Sequence, residues 1–186
     1  MPDELRSRIE TTRKELLPFL DLSGLHLSTI PEEVASLTWL EALSLSDNSI
    51  SDIHCLSGLK RLKKLALSNN KITDLSPLHC LTNIKFLFLG NNRISDISAL
   101  SGHLKLKKVL LSHNRISDIT IAGTWTSLVY LDLADNLLRD ISVISTLEKI
   151  KYLDLSQNPL NRHEVQNTVE GLTSLAVFID RRRHER

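Results

Sequence analysis

Residues 62–83 read LKKLALSNNKITDLSPLHCLTN, and the same grammar recurs on both sides at a spacing of 22 residues. Residues 40–61 (LEALSLSDNSISDIHCLSGLKR) precede it; 84–105 (IKFLFLGNNRISDISALSGHLK), 106–127 (LKKVLLSHNRISDITIAGTWTS) and 128–149 (LVYLDLADNLLRDISVISTLEK) follow. A further unit opens at Ile150 (IKYLDLSQNPL) and then changes character, and a 23-residue unit, LPFLDLSGLHLSTIPEEVASLTW, opens at Leu17 with Leu25 where the others carry asparagine. The shared frame is LxxLxLxxNxIxDIxxLxxLxx. Its LxL core alternates fixed and variable residues, the period-2 pattern of a strand with one buried face.

One strand and a return loop cannot bury that face alone. Each coil must stack on the next, so the repeat predicts a solenoid with parallel strands about 4.8 Å apart. Eight strands, counting one near residues 176–179, make a sheet roughly 34 Å across. The return segments place Ile, Asp, Ile and Leu in steps too short for full helices, which predicts 3-10 turns on the convex side. Composition agrees: 37 of the 186 residues are leucine and only eight are aromatic, a bias expected when one unit has been copied.

These repeats resemble leucine-rich repeats. The 22-residue form with N-x-I-x-D-I is similar to those of internalins and of phosphatase-regulatory leucine-rich-repeat proteins; the first unit, LDLSGLHLSTIPEEV, is closer to bacterial and Roco-type repeats. The resemblance implies an α/β fold: a right-handed solenoid, curved as a horseshoe, with a parallel sheet on its concave side. It specifies the fold far better than a function. The phosphatase-regulator likeness implies a regulatory or scaffolding subunit docked on an enzyme. The internalin likeness implies a secreted or injected effector engaging a host protein.

Helical caps are expected at both ends. Pro2-Asp3 opens a helix with Leu5, Ile9, Leu16 and Leu17 on one side, giving an N-terminal cap over residues 1–16. About seven repeats then fill residues 17–160. Residues 161–180 form a C-terminal cap, with Asn161 as N-cap, Val165 and Val169 one turn apart, Gly171 at the helix end and Leu172 beyond. Capping at both ends predicts one complete domain over residues 1–186, with a basic tail, RRRHER, at 181–186.

Two polar columns are expected to be structural. Asn48, Asn70, Asn92, Asn114, Asn136 and Asn158 recur where the chain turns inward, so their amides can bond loop backbone in adjacent coils as a ladder. Asp52, Asp74, Asp96, Asp118 and Asp140 recur at the convex turns and read as turn caps rather than a metal-binding row.

No phosphate loop, G-x-S-x-G, H-E-x-x-H or C-x-x-C occurs, so the expectation is no enzyme, no cofactor and no metal site. His54 with Cys55 and His79 with Cys80 lie on neighbouring return segments, a weak zinc alternative. The two cysteines otherwise read as reduced thiols in or near the core. The N-terminal segment has no apolar stretch and no run of 18 apolar residues occurs, predicting a cytoplasmic chain without membrane spans. The formal net charge of +1 argues against a dedicated nucleic-acid binder.

Binding residues are sought where the frame leaves them free. Positions 3 and 5 of each unit point away from the core onto the concave face. Position 3 reads Phe19, Ala42, Lys64, Phe86, Lys108, Tyr130, Tyr152; position 5 reads Asp21, Ser44, Ala66, Phe88, Leu110, Asp132, Asp154. Core formation does not require Phe86, Phe88 and Leu110, because Leu87, Leu89 and Leu111 already fill the interior. Such apolar clusters mark contact surfaces. The expected site for a partner protein is therefore Phe86, Phe88 and Leu110, extended by Tyr130, Asp132, Tyr152 and Asp154, with Lys64 and Lys108 beside them. Alternatives are a homodimer that covers the face, cross-strand pairing that only stabilises the sheet, and anion or RNA binding by a lysine rim of Lys63, Lys85, Lys107 and Lys151.

Overall fold

The computed structural model describes residues 2–170, 172 and 176–178. Eight three-residue strands form one parallel sheet in strict chain order: β1 Phe19–Asp21, β2 Ala42–Ser44, β3 Lys64–Ala66, β4 Phe86–Phe88, β5 Lys108–Leu110, β6 Tyr130–Asp132, β7 Tyr152–Asp154 and β8 Ala176–Phe178. Register advances one repeat per strand, so Leu43, Leu65, Leu87, Val109 and Leu131 sit side by side. This is the leucine-rich-repeat solenoid that the 22-residue frame demands.

The interior is a single continuous aliphatic stack. In the coil starting at Leu62, the side chains of Leu62, Leu65, Leu67, Ile72, Leu75, Leu78 and Leu81 are all buried. Burying each such side chain is worth about 1.5–3 kcal/mol, which is what closes the coil on its neighbours. The returns use 3-10 turns at His54–Gly58, Ser76–Leu78, Ser98–Leu100, Thr120–Thr124 and Ser142–Thr146. The longer first unit has room for a short helix instead, α2, Glu32–Ala35.

Both polar columns are structural. Asn70 Oδ1 accepts from Ile50 N at 2.9 Å, while its Nδ2 donates to Leu45 O, Leu67 O and Ser68 O. Asn48, Asn92, Asn114, Asn136 and Asn158 repeat the pattern one coil at a time. In the other column a carboxylate oxygen of Asp52, Asp74, Asp96, Asp118 or Asp140 accepts the amide two residues on, at 2.7–2.8 Å. That bond starts each convex turn, and it holds all five carboxyls below their ordinary pKa.

A third column is defined by backbone conformation rather than by residue type. Asp47, Asn69, Asn91, His113, Asp135 and Gln157 take φ between 51° and 59°, a left-handed conformation in which Asn, Asp and His are enriched. Their side chains link along the rim: Asn69 Nδ2 donates to Asp47 Oδ1 at 2.6 Å, Asn91 Nδ2 to Asn69 Oδ1 at 2.9 Å, and His113 Nδ1 lies 2.7 Å from Asp135 Oδ2.

At the N-terminal end, α1 spans Pro2–Lys14 and packs on β1. Ile9 and Thr12 are its buried residues, and Leu5 is half-buried. Leu16, expected on the buried side, is 66% exposed. The helix stops two residues earlier, Leu16 turns left-handed with φ 51°, and Leu17 N donates to Thr12 O at 3.0 Å. At the other end α3, Arg162–Val169, lies against the last 3-10 turn; Asn161 Oδ1 caps it by accepting from His163 N at 2.9 Å. Val165 is buried, and Val169 and Leu172 pack on the core. Gly171 and the tail at 181–186 lie outside the described residues. Among the described residues no helix is long and apolar enough to cross a membrane.

Candidate functional site

The pleat sends the middle residue of each strand inward and the outer two onto the concave face. Two rows result. One runs Lys64, Phe86, Lys108, Tyr130, Tyr152 across β3–β7, and the other runs Ala66, Phe88, Leu110, Asp132, Asp154. All nine residues predicted for the site thus share one surface. Phe86 is 39% exposed, and Phe88 and Leu110 are half-buried. Side by side on β4 and β5, they form an apolar patch that reaches solvent on the concave face, with the Lys64 side chain beside it.

The patch grades into a polar, aromatic half. Tyr130 and Tyr152 stack with ring centroids 3.9 Å apart and planes 6° from parallel, a pairing typically worth about 0.5–1.5 kcal/mol. Lys108 Nζ sits 4.0 Å from the Tyr130 ring centroid, and Lys64 Nζ 5.7 Å from that of Phe88. The lysines of this face therefore lie along aromatic rings, held by the ring quadrupole. Burial, with Tyr152, Asp132 and Asp154 close by, pushes the Tyr130 phenol above its ordinary pKa, so it stays protonated at neutral pH.

The two aspartates are held by hydrogen bonds rather than by cations. Asp132 Oδ2 accepts from Ser112 Oγ at 2.8 Å and its Oδ1 from Ala134 N at 3.1 Å. Asp154 Oδ1 accepts from Ser156 N at 2.9 Å and from Ser156 Oγ at 2.6 Å. The lysine rim immediately precedes the strands: Lys63, Lys85, Lys107 and Lys151 stand one residue before β3, β4, β5 and β7. Lys63 is engaged, donating to Glu41 Oε1 of the preceding coil at 2.7 Å.

Other features stand apart from this patch. Leu104 and Leu137 are also more than half exposed, while Phe19, 56% exposed, lies at the β1 end of the concave row, three strands from Phe86. Leu137 was legible as the free position after Asn136, yet it does not join the patch by register. Cys55 is half-buried but Cys80, expected in or near the core, is exposed, because it stands one place before the inward Leu81. Among the described residues no group of three or more His, Cys, Asp or Glu is placed to hold a metal ion. Shallow concavities also lie along α1 at Arg6, Glu10 and Lys14 and between α3 and the last turns at Arg139, Asp140 and Asn167.

The family model for leucine-rich repeats matches residues 17–72 and 105–160, and a two-copy leucine-rich-repeat model matches 60–102. No curated protein matches the chain. Among solved structures it is similar to an internalin, InlF, of Listeria monocytogenes, with 31% identity and a TM-score of 0.85 over 94% of this chain and 53% of that one. Internalin C2 of the same organism superposes at TM-score 0.76 and 24% identity, over 95% of this chain and 92% of that one. A plant peptide hormone receptor in complex with RGF2 gives 0.70 and 26%, over 88% and 32%. The chain thus spans about half of the InlF structure and nearly all of the internalin C2 structure. It belongs to the leucine-rich-repeat family.

Proposed function

We propose that the chain is a non-enzymatic protein-interaction module that holds a partner protein in its concave face, as a regulatory or scaffolding subunit. The observation that carries this reading is the solvent-reaching cluster of Phe86, Phe88 and Leu110, which the core does not need. Exposed apolar clusters lower solubility and generally mark contact surfaces. Beside it stands the Tyr130–Tyr152 stack, rigid amphipathic area of the kind that dominates interface energetics. The structural likeness to a receptor in complex with RGF2 supports use of this fold for holding a partner.

The test compares wild type with Phe86→Asp/Phe88→Asp in capture from the source lysate, followed by titration of the purified partner. Both side chains reach solvent, so the variant keeps its circular dichroism spectrum. Losing a buried aromatic from an interface centre costs on the order of 2 kcal/mol or more, so affinity falls about thirtyfold or further. A partner held equally by the folded variant overturns the reading. A second version, implied by the resemblance of the repeats to those of internalins, has a host protein as the partner; capture from host rather than source lysate separates the two.

A further inference from the structure

The proposed docking face is chemically graded. Along the row from β4 to β7 it reads Phe88, Leu110, Asp132, Asp154, two apolar residues and then two carboxylates on adjacent parallel strands. Strand spacing sets neighbouring positions about 4.8 Å apart, so the midpoint of the apolar pair lies about 10 Å from the midpoint of the acidic pair. Both carboxylates are pre-oriented by Ser112 and Ser156, as described above. Among the described residues neither forms an ion pair. The nearest cation on the same face by register, Lys108, lies over the Tyr130 ring instead.

Two oriented like charges this close, with no cation of their own, favour a positive group brought by a partner. The same charges repel phosphate, which disfavours a nucleic acid here. Resting on the concave-face reading, we infer that the occupant is a polypeptide segment presenting an apolar side chain to Phe88 and Leu110 and a lysine or arginine to Asp132 and Asp154, the two about 10 Å apart. A segment in the polyproline-II conformation rises about 3.1 Å per residue and returns to the same face every three residues, so the two anchors are about three residues apart in it.

The probe is a displayed library of random dodecapeptides, selected on wild type and then measured as single synthetic peptides. Selected peptides should pair an apolar residue with Lys or Arg. They should bind Asp132→Asn/Asp154→Asn at least about tenfold more weakly and with a flatter salt dependence. Selection on Asp132→Lys/Asp154→Lys should return acidic residues at the place of the basic one. Circular dichroism and melting of each variant confirm the fold. Peptides without basic enrichment, or with unchanged affinity for the Asn variant, overturn this inference. If those peptides still fail to bind Phe86→Asp/Phe88→Asp, the concave-face reading survives without it; if they bind that variant too, both fall.

Discussion

Replacing His103 by leucine puts into the fourth full coil the residue that Leu59, Leu81 and Leu147 supply in its neighbours, and it isolates one titrating group. His103 is fully buried, and neither ring nitrogen has a hydrogen-bond partner among the described residues. The carbonyls of Leu78, Leu100 and Ser101 lie around it without reaching bonding geometry. One coil later Trp125 fills the same slot and does make the bond, from Nε1 to Leu100 O at 3.2 Å. Burial pushes the His103 pKa down, and the neighbouring His79 adds to this. The folded ring therefore stays neutral where the unfolded one, with an ordinary pKa of about 6.5, takes up a proton. Its effect on stability is absent well above that pH and becomes a loss as pH falls through it. Lowering the pH from 7.5 to 5.5 therefore destabilises wild type through this ring, and a variant without the imidazole escapes that loss. The leucine variant also removes buried polar atoms left unpaired, each worth about 1–3 kcal/mol, so it should be the more stable protein at pH 7.5. Urea unfolding at pH 7.5 and 5.5, followed by fluorescence of the buried Trp125, reads both effects. The other histidines are common to the two proteins and cancel in the comparison. A stability difference that does not widen toward pH 5.5 would refute the buried, neutral imidazole.

Three further outcomes are expected. Asn92→Ala removes four hydrogen bonds and strands the Ile72 amide, so chemical denaturation should show a loss of about 3 kcal/mol. In acid, the five turn-capping aspartates stabilise the fold above their unfolded pKa of about 3.9 and lose that contribution as pH falls through their lowered folded values. An Asp74→Asn/Asp96→Asn variant should therefore show shallower acid unfolding below about pH 4 by circular dichroism. Gly123→Ala would bring a methyl within 2.9 Å of Val143 Cγ2, a β-branched side chain with little room to yield, so thermal melting should report about 1–2 kcal/mol of destabilisation.

The fold was legible because every inward position repeats. Leu65, Ile72 and Leu78 are interchangeable with their equivalents 22 residues away, and the asparagine ladder stands at a fixed place in that frame. What escaped was set by conformation rather than by residue class. The left-handed rim of Asp47, Asn69, Asn91, His113, Asp135 and Gln157 reads as ordinary solvent-facing polarity until its φ angles are known. Leu16 continued a helical apolar pattern that the backbone had already left at Lys14, just before Pro18. On the concave face, membership followed from alternation alone. The engagement of Lys108 with Tyr130 and of Asp132 with Ser112 depends on cross-strand neighbours and side-chain direction, which a linear pattern does not specify.

Hydroxyl-radical footprinting of the partner complex would show whether β4–β7 are the contact surface, because aromatic side chains report their own exposure. Oxidation of Phe86, Phe88, Tyr130 and Tyr152 should fall on binding, while Phe19, 56% exposed on β1, keeps its rate as an internal control. Unchanged oxidation at β4–β7 in a saturated complex would contradict the concave-face reading and place the working surface elsewhere on the solenoid.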